Sequence, residues 1–345
     1  MRGQGARHKA ERGAGGGRLR LVWGGLRAGL AAAAMALASV AILQAAEERQ
    51  TVFVVVGAPG EAVYRSQFEE WTERWREAAS AAEADFVAVG MDETNAVSDR
   101  QLLETGLAAL AEGSEGVVWL VFIGHGTFDG ETPKFNLRGP DVSAMDVAAW
   151  LQPWRRPVAI IQCASASGPF LAQLSHTNRV VITATRSGEE QNFARFGSYL
   201  AESIADPAAD VDKDGQTSLL EAFLVASQRV AEFYESEGRL ATEHALLDDN
   251  GDRLGTPADW FEGVRAVRRA AEGARPDGLR AHRFHLIRSE RERQLPEAFR
   301  VSRDQLELEL ETLRSRKNEL SLEIYFDQLE RLLVRTGIGR LPVVD

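Results

Sequence analysis

PVAIIQCASASG, Pro157–Gly168, is the stretch on which the reading of this chain turns. Its first half is a continuous apolar run, the pattern of a strand buried on both faces. Its second half is a string of small residues that ends the strand in a turn. At the junction stands Cys163, the single cysteine among 345 residues. GVVWLVFIGHGT, Gly116–Thr127, has the same form, with His125 at the junction between two glycines. Read together, the two strand ends lie side by side and form a cysteine–histidine pair. The plainer alternative is an inert, buried thiol and a histidine that fills a turn.

Working outward, Thr51–Gly57, Ala84–Gly90 and Asn178–Thr183 read as further strands. Helices are expected over residues 62–82, 98–111, 143–151 and 192–204, with a short one through Phe170 and Leu174. Phe68, Trp71 and Trp75 recur at spacings of three and four, so they mark a core-facing helical stripe. Ser98 is placed to cap its helix. Alternating helices and continuously apolar strands predict an α/β fold in three layers around a mostly parallel central sheet. Such sheets carry their sites at the carboxyl ends of the strands, where His125 and Cys163 fall. The turn Gly57-Ala58-Pro59-Gly60 lacks the Gly-Lys-Ser/Thr of a phosphate loop, so nucleotide binding is not expected.

Hydrophobic content of 44% and charged content of 26% are those of a folded globular chain, not a disordered one. The formal net charge is -11, unevenly spread: residues 1–46 hold seven Lys+Arg, leaving 33 Lys+Arg against 50 Asp+Glu in the remainder. So acidic a body excludes nucleic acid as an expected partner. Residues 1–46 read as an export segment: scattered basic residues to Arg27, an apolar core Ala28–Leu43, and small residues at Ala45 and Ala46. They form either a cleaved secretory signal or an N-terminal anchor attached to the membrane, and in both cases the body is exported, periplasmic or secreted. In an oxidising compartment a lone cysteine makes no intrachain disulfide, which leaves a reactive thiol or an inert one.

Attack on a peptide carbonyl needs a nucleophile, a group to manage its proton, and donors for the developing oxyanion. Cys163 is the candidate nucleophile, its thiolate favoured by the helix expected after the turn. His125 serves as base and then as acid towards the leaving amine. The backbone N–H groups of Gly126 and Cys163 form the expected oxyanion hole. Among the other histidines, His244 is the one competitor.

These residues resemble the caspase-type clan of cysteine peptidases: an apolar block ending in His-Gly, then one ending in Cys and small residues. The legumain and glycosylphosphatidylinositol-transamidase branch is the nearest. Gly60–Gln67, GEAVYRSQ, is similar to the legumain segment after the first strand. The resemblance assigns Arg65 to the pocket for the residue before the cleaved bond. Thr183–Ala194, TATRSGEEQNFA, is similar to the family's pocket-wall loop, with Glu190 and Phe193-Ala194 in the matching places. It implies a caspase-like fold over roughly residues 50–205 and an acyl-enzyme peptidase, with a transpeptidase or an inactive partner-binding module as alternatives on the same scaffold. The acidic residue that legumains carry before the histidine is here Gly124, and their Glu-Ser-Gly-Ser after the cysteine is here Ala-Ser-Ala-Ser-Gly. Asparagine specificity therefore does not carry over. Arg65 favours an acidic or amide side chain, whereas Glu189 and Glu190 favour a basic one.

Asp210–Glu221, DVDKDGQTSLLE, fits the twelve-residue EF-hand loop. Asp210, Asp212 and Asp214 take the first three ligand places, Gly215 the sharp turn, Gln216 and Ser218 the next two, and Glu221 the final carboxylate. Hard oxygen donors indicate a structural Ca2+; no organic cofactor is expected. A weaker acidic turn, Asp248–Asp252, has Arg253 where the turn glycine would stand. Residues 47–205 thus form the catalytic core, 206–259 a calcium loop and acidic turn completing it, and 260–345 a charged helical extension. Leu306, Leu310, Leu313, Leu329, Leu332 and Leu333 mark amphipathic helices able to form a hairpin or to mediate self-association.

Overall fold

The computed structural model describes residues 49–92, 94, 96–112, 116–271, 273–317 and 319–335. The stretch read as an export segment lies outside them. The chain opens with β1 (Thr51–Val56), α1 (Ala62–Ala81), β2 (Asp85–Val89) and α2 (Asp99–Ala111). It continues through β3 (Val118–Ile123) into a small antiparallel sheet of β4 (Gly126–Phe128), β5 (Pro133–Phe135) and β6 (Val142–Ser143). Next come α3 (Ala144–Trp150), β7 (Val158–Gln162), α4 (Gly168–Leu174), β8 (Arg179–Thr183), α5 (Phe196–Ser203) and α6 (Leu219–Ser236). Two short strands, β9 (Leu246–Asp248) and β10 (Thr256–Pro257), complete the main sheet.

The main sheet has seven strands in the order β10-β9-β8-β7-β3-β1-β2. The five strands expected from sequence pair in parallel, and β9 and β10 add an antiparallel edge beside β8. These two have only three and two residues, too few to carry a periodicity. Helices α1, α5 and α6 cover one face, packing Phe68, Trp71, Trp75, Phe196 and Phe223 against it. Helices α2, α3 and α4 cover the other with Leu103, Leu107, Val147 and Phe170. The result is the three-layer α/β architecture with a mostly parallel sheet that the strand pattern predicts. Apolar residues fill both faces because successive side chains of a strand point to opposite sides. Thus Ala159, Ile161 and Cys163 of the β7 segment face the α1 layer, while Val158 and Ile160 face α2 and α3.

Local caps set the helix ends. The Ser98 side chain accepts from Gln101 N, as its position predicts. Ser143 and Asp146 form a capping box on α3, and Ser218 with Glu221 forms another on α6, each stabilising its helix by about 1 kcal/mol. Beyond the core lie α7 (Glu290–Gln294), α8 (Glu297–Ser315) and α9 (Leu322–Arg335). Helices α8 and α9 pack together as a hairpin, with Leu306, Leu313 and Tyr325 buried and Arg335 paired to Glu309. Among the described residues, no helix is long and apolar enough to cross a membrane.

Candidate functional site at the ends of strands β3 and β7

His125 follows β3 by two residues. Its ring lies edge-on to Tyr64 at 4.7 Å, Phe68 at 5.3 Å and Phe193 at 5.9 Å between centroids. The Nε2 atom is 3.3 Å from the Pro59 carbonyl oxygen. A carbonyl can only accept, so this contact assigns the proton to Nε2 and leaves the lone pair on Nδ1. Burial lowers the pKa of His125, and the Pro59 carbonyl raises it in part. The imidazole is therefore neutral at neutral pH, the state a general base requires.

Cys163 follows the last residue of the neighbouring strand, β7. The ladder pairs Phe122 with Gln162, and the Cys163 N–H donates to the Phe122 carbonyl at 2.9 Å. This register puts Cys163 level with Ile123, two residues deeper in the sheet than His125. The thiol is 1% exposed and continues the inward row of β7. It lies against Gly197 of α5 and Trp71 of α1: a Cβ added at Gly197 would fall 3.0 Å from Sγ and 2.9 Å from the Trp71 ring. Burial pushes the thiol pKa far up, and no hydrogen bond joins it to His125 among the described residues. The Cys163 N–H, expected as an oxyanion donor, is held in the ladder by the Phe122 carbonyl. The helix expected to favour a thiolate begins only at Gly168 and does not offset the burial.

The residue that meets the His125 segment is Ser165. Its Oγ accepts from the Gly126 N–H at 3.4 Å and donates to the Gly126 carbonyl at 3.3 Å. A Cβ at Gly126 would lie 2.4 Å from the Ser165 carbonyl oxygen, so only glycine permits this approach. Ala166 takes φ 52°, a left-handed conformation costly for a residue with a Cβ, and its N–H donates to the Glu190 carbonyl at 2.8 Å. The Ser167 hydroxyl meets Thr185 Oγ1 at 3.2 Å, and Gly168 N donates to that oxygen at 2.9 Å. The turn is therefore pinned by the loop that follows β8. Neither Ser165 nor the Pro59 carbonyl was legible as a site group, because cross-strand register has no sequence signal. The unusual density of small polar residues in Ala-Ser-Ala-Ser-Gly was the one available hint.

The pocket residues implied by resemblance divide. Arg65 is exposed on α1, one residue after the Tyr64 that touches His125. Glu189 is exposed on the β8–α5 loop. Glu190 is committed elsewhere: it accepts from Arg186 N at 2.9 Å, contacts His244 Nδ1 at 2.6 Å and pairs with the Arg186 guanidinium. These contacts tie the β8–α5 loop together. His244 is the partner of Glu190, not of a nucleophile.

At the acidic loop, carboxylate oxygens of Asp210, Asp212 and Asp214 lie within 4.8 Å of one another. Lys213 takes φ 65° and Gly215 takes φ 91°. Three converging carboxylates repel unless a cation shares them, and an all-oxygen donor set fits calcium. Other expected ligands are occupied. Glu221 accepts Val211 N and Asp212 N on Oε1, and Ser218 N and Oγ on Oε2. The Ser218 hydroxyl also accepts Glu221 N, whereas the Gln216 side chain, not its ligating carbonyl, is the part that accepts Ser289 N. Among the described residues, only Asp210, Asp212 and Asp214 converge.

No family model and no curated protein matches the chain. Among solved structures it is similar to the Drosophila initiator caspase Dronc, at 15% identity and TM-score 0.39, covering 59% of this chain and 80% of that one. It is similar also to caspase-1 from Spodoptera frugiperda, at 8% identity and TM-score 0.38, covering 59% of this chain and 86% of that one.

Proposed function

We propose that the chain is an exported acyl-transfer hydrolase acting on peptide bonds at the carboxyl ends of β3 and β7. His125 carries the proton, and the nucleophile comes from the turn after β7. The observation that carries this reading is the His125 ring, held by the Pro59 carbonyl through Nε2 so that Nδ1 keeps its lone pair. A backbone carbonyl in that place orients a catalytic imidazole as the carboxylate of a triad does. Gly126 supplies an N–H where an acyl oxyanion would form. Asp210, Asp212 and Asp214 hold a calcium ion that braces the loop before α6, and the ion takes no part in the chemistry. Substrate is a peptide or protein, with Arg65 and Glu189 at the approach to the site.

A peptide library incubated with the wild type and with His125→Gln tests the reading. Cleavage by the wild type and its loss in the variant are expected; equal cleavage by both would sink it. A second reading is a peptide-binding module without catalysis, favoured by the buried Cys163 thiol and by the aromatic ring of Tyr64, Phe68 and Phe193 around His125. Transfer of the acyl group to an amine instead of water is a variant of the first reading, since both pass through one acyl-enzyme.

A further inference from the structure

We infer that the site takes a large apolar or aromatic side chain on the residue whose amine leaves, and that Tyr64 and Phe193 select it. The inference rests on the acyl-transfer reading above and adds its substrate class. Tyr64, Phe68, Trp71 and Trp75 stand three or four residues apart, so they share one face of α1. The last three are buried, whereas Tyr64 is only partly so: the stripe emerges from the core at its first ring. Phe193, from the β8–α5 loop, is also partly buried and packs against Tyr64, with ring centroids 4.7 Å apart and planes tilted by 38°. Both rings border the group placed to move a proton. Tyr64 meets the His125 ring at 87° and Phe193 meets it at 62°. The Pro59 carbonyl engages Nε2, so Nδ1 is the nitrogen free to work. Among the described residues, no charged side chain pairs with His125.

The chemistry fixes which part of a substrate these rings meet. The nucleophile of the β7 turn bonds to the carbonyl carbon, and its proton passes to His125 Nδ1. Collapse breaks the carbon–nitrogen bond; nitrogen keeps the electron pair, takes the Nδ1 proton and leaves as the amine. The leaving nitrogen therefore comes within about 3 Å of Nδ1. Its side chain starts two bonds further on, so the first side-chain atoms fall about 5–6 Å from the imidazole. Tyr64 and Phe193 occupy that shell, with centroids 4.7 and 5.9 Å from the His125 ring. The acyl-side residue hangs from the carbon under attack, next to the nucleophile, and is read elsewhere. A carboxylate entering between the two rings would lose water and find no partner. An ammonium or guanidinium would lie beside the imidazolium formed in the same step, which repels it. An aromatic or large aliphatic side chain buries apolar area there and packs edge-on or offset against the rings.

The test is cleavage of a peptide mixture with every residue type at every position, the cut bonds being located by mass. Cuts that His125→Gln abolishes should fall before Phe, Tyr, Trp, Leu or Met. In matched peptides, kcat/KM with Phe as the leaving residue should exceed that with Ala by about 10–200-fold. Tyr64→Ala and Phe193→Ala should each lower this Phe-to-Ala ratio by about tenfold, and Tyr64→Phe should keep it, because the ring does the reading. The ratio is internal to each variant, so a partly unfolded sample does not move it. Phenylalanine amide and alanine amide, added as acceptors, probe the same place from the other direction. The first should intercept the acyl-enzyme about tenfold or more better than the second in the wild type, and equally in Tyr64→Ala. Cleavage that needs His125 but ignores the leaving residue, or favours a charged one, overturns the inference and leaves the acyl-transfer reading standing. So does a Tyr64→Ala protein that loses turnover of Phe and Ala peptides in equal proportion. Absence of any His125-dependent cleavage removes both.

Discussion

The Cys163 N–H donates to the Phe122 carbonyl at 2.9 Å, and that one bond decides which way the only thiol of the chain faces. A residue held in the ladder obeys the strand's alternation, so Cys163 continues Ala159 and Ile161 into the layer beneath Trp71 and Gly197. Ser165, two residues further, has left the ladder and meets Gly126.

The native thiol should accordingly be silent. Burial disfavours the thiolate, the reactive form, and Trp71 and α5 block access. Reaction with a disulfide reagent at pH 8 should proceed only through opening of the core. It should be about 10³-fold or more slower than in denaturant, the range set by native opening equilibria. A stoichiometric reaction within seconds on the folded protein would refute the placement of Cys163.

Gly126 makes a sharper test of the contact between the two turns. An alanine methyl there would sit 2.4 Å from the Ser165 carbonyl oxygen and 3.2 Å from that of Lys134. Backbone, not a flexible side chain, must move. Gly126→Ala should cost about 1–3 kcal/mol, the range for overpacking, and should abolish cleavage by spreading the site. Denaturant unfolding alongside peptide cleavage separates the two effects. Wild-type activity in a folded Gly126→Ala protein would mean that Ser165 and Gly126 need not touch.

Much of the frame was legible from sequence, and the reason is physical. Continuous apolar runs announce strands buried on both faces, and Ser98 announces a helix start through the geometry of its cap. His125 was legible as a strand-end residue for the same reason. What the sequence did not encode visibly is relative register. Two apolar runs that each end in a polar residue look level on paper, yet Cys163 stands two residues short of His125's level. The partners of Glu190 were hidden likewise, because His244 approaches from 54 residues away in sequence. The strands β9 and β10 escaped because edge strands this short lean on pairing with β8 instead of on a pattern of their own.

Protonation gives a third expectation. Burial lowers the pKa values of both His125 and His285 in the folded chain below the ordinary 6.5. The unfolded chain therefore takes up these protons first as pH falls. Folding stability should decline from near the unfolded value of 6.5 downward through the lowered folded values, and these two groups add no dependence above it. The acid limb of activity should likewise lie below pH 6.5, since His125 must be neutral to act as base. Urea unfolding between pH 5 and 8 should show a shallower decline in His125→Gln than in the wild type. An acid limb above pH 7 would contradict the buried, neutral imidazole.

Glu190 tests where specificity resides. Its carboxylate is 11% exposed and is held by Arg186 and His244, while its carbonyl accepts the Ala166 N–H. A group so engaged steadies the β8–α5 loop and does not face a substrate side chain. Glu190→Gln should cost about 1–3 kcal/mol, as for a buried polar group that loses a partner. It should lower turnover of basic and acidic peptides in the same proportion. A selective loss on basic peptides would return Glu190 to the pocket.

The acidic loop separates a cation's contribution from that of its scaffold. Asp212 and Asp214 present carboxylates to the converging cluster, whereas Glu221 is 1% exposed and spends both oxygens on Val211, Asp212 and Ser218. Calcium at a hundredfold excess over its Kd should stabilise the wild type by about 2.7 kcal/mol. For a domain of this size that is a rise in Tm of about 5 °C or more. Asp214→Asn should abolish the rise while leaving the calcium-free Tm near that of the wild type or slightly above it, because the asparagine Oδ1 still accepts Gln216 N while repulsion among the aspartates is relieved. Glu221→Gln should instead lower the Tm with and without calcium, since an amide nitrogen cannot accept the N–H groups that one carboxylate oxygen now serves. If both variants lost stability only in the presence of calcium, Glu221 would be a ligand and not the brace of α6.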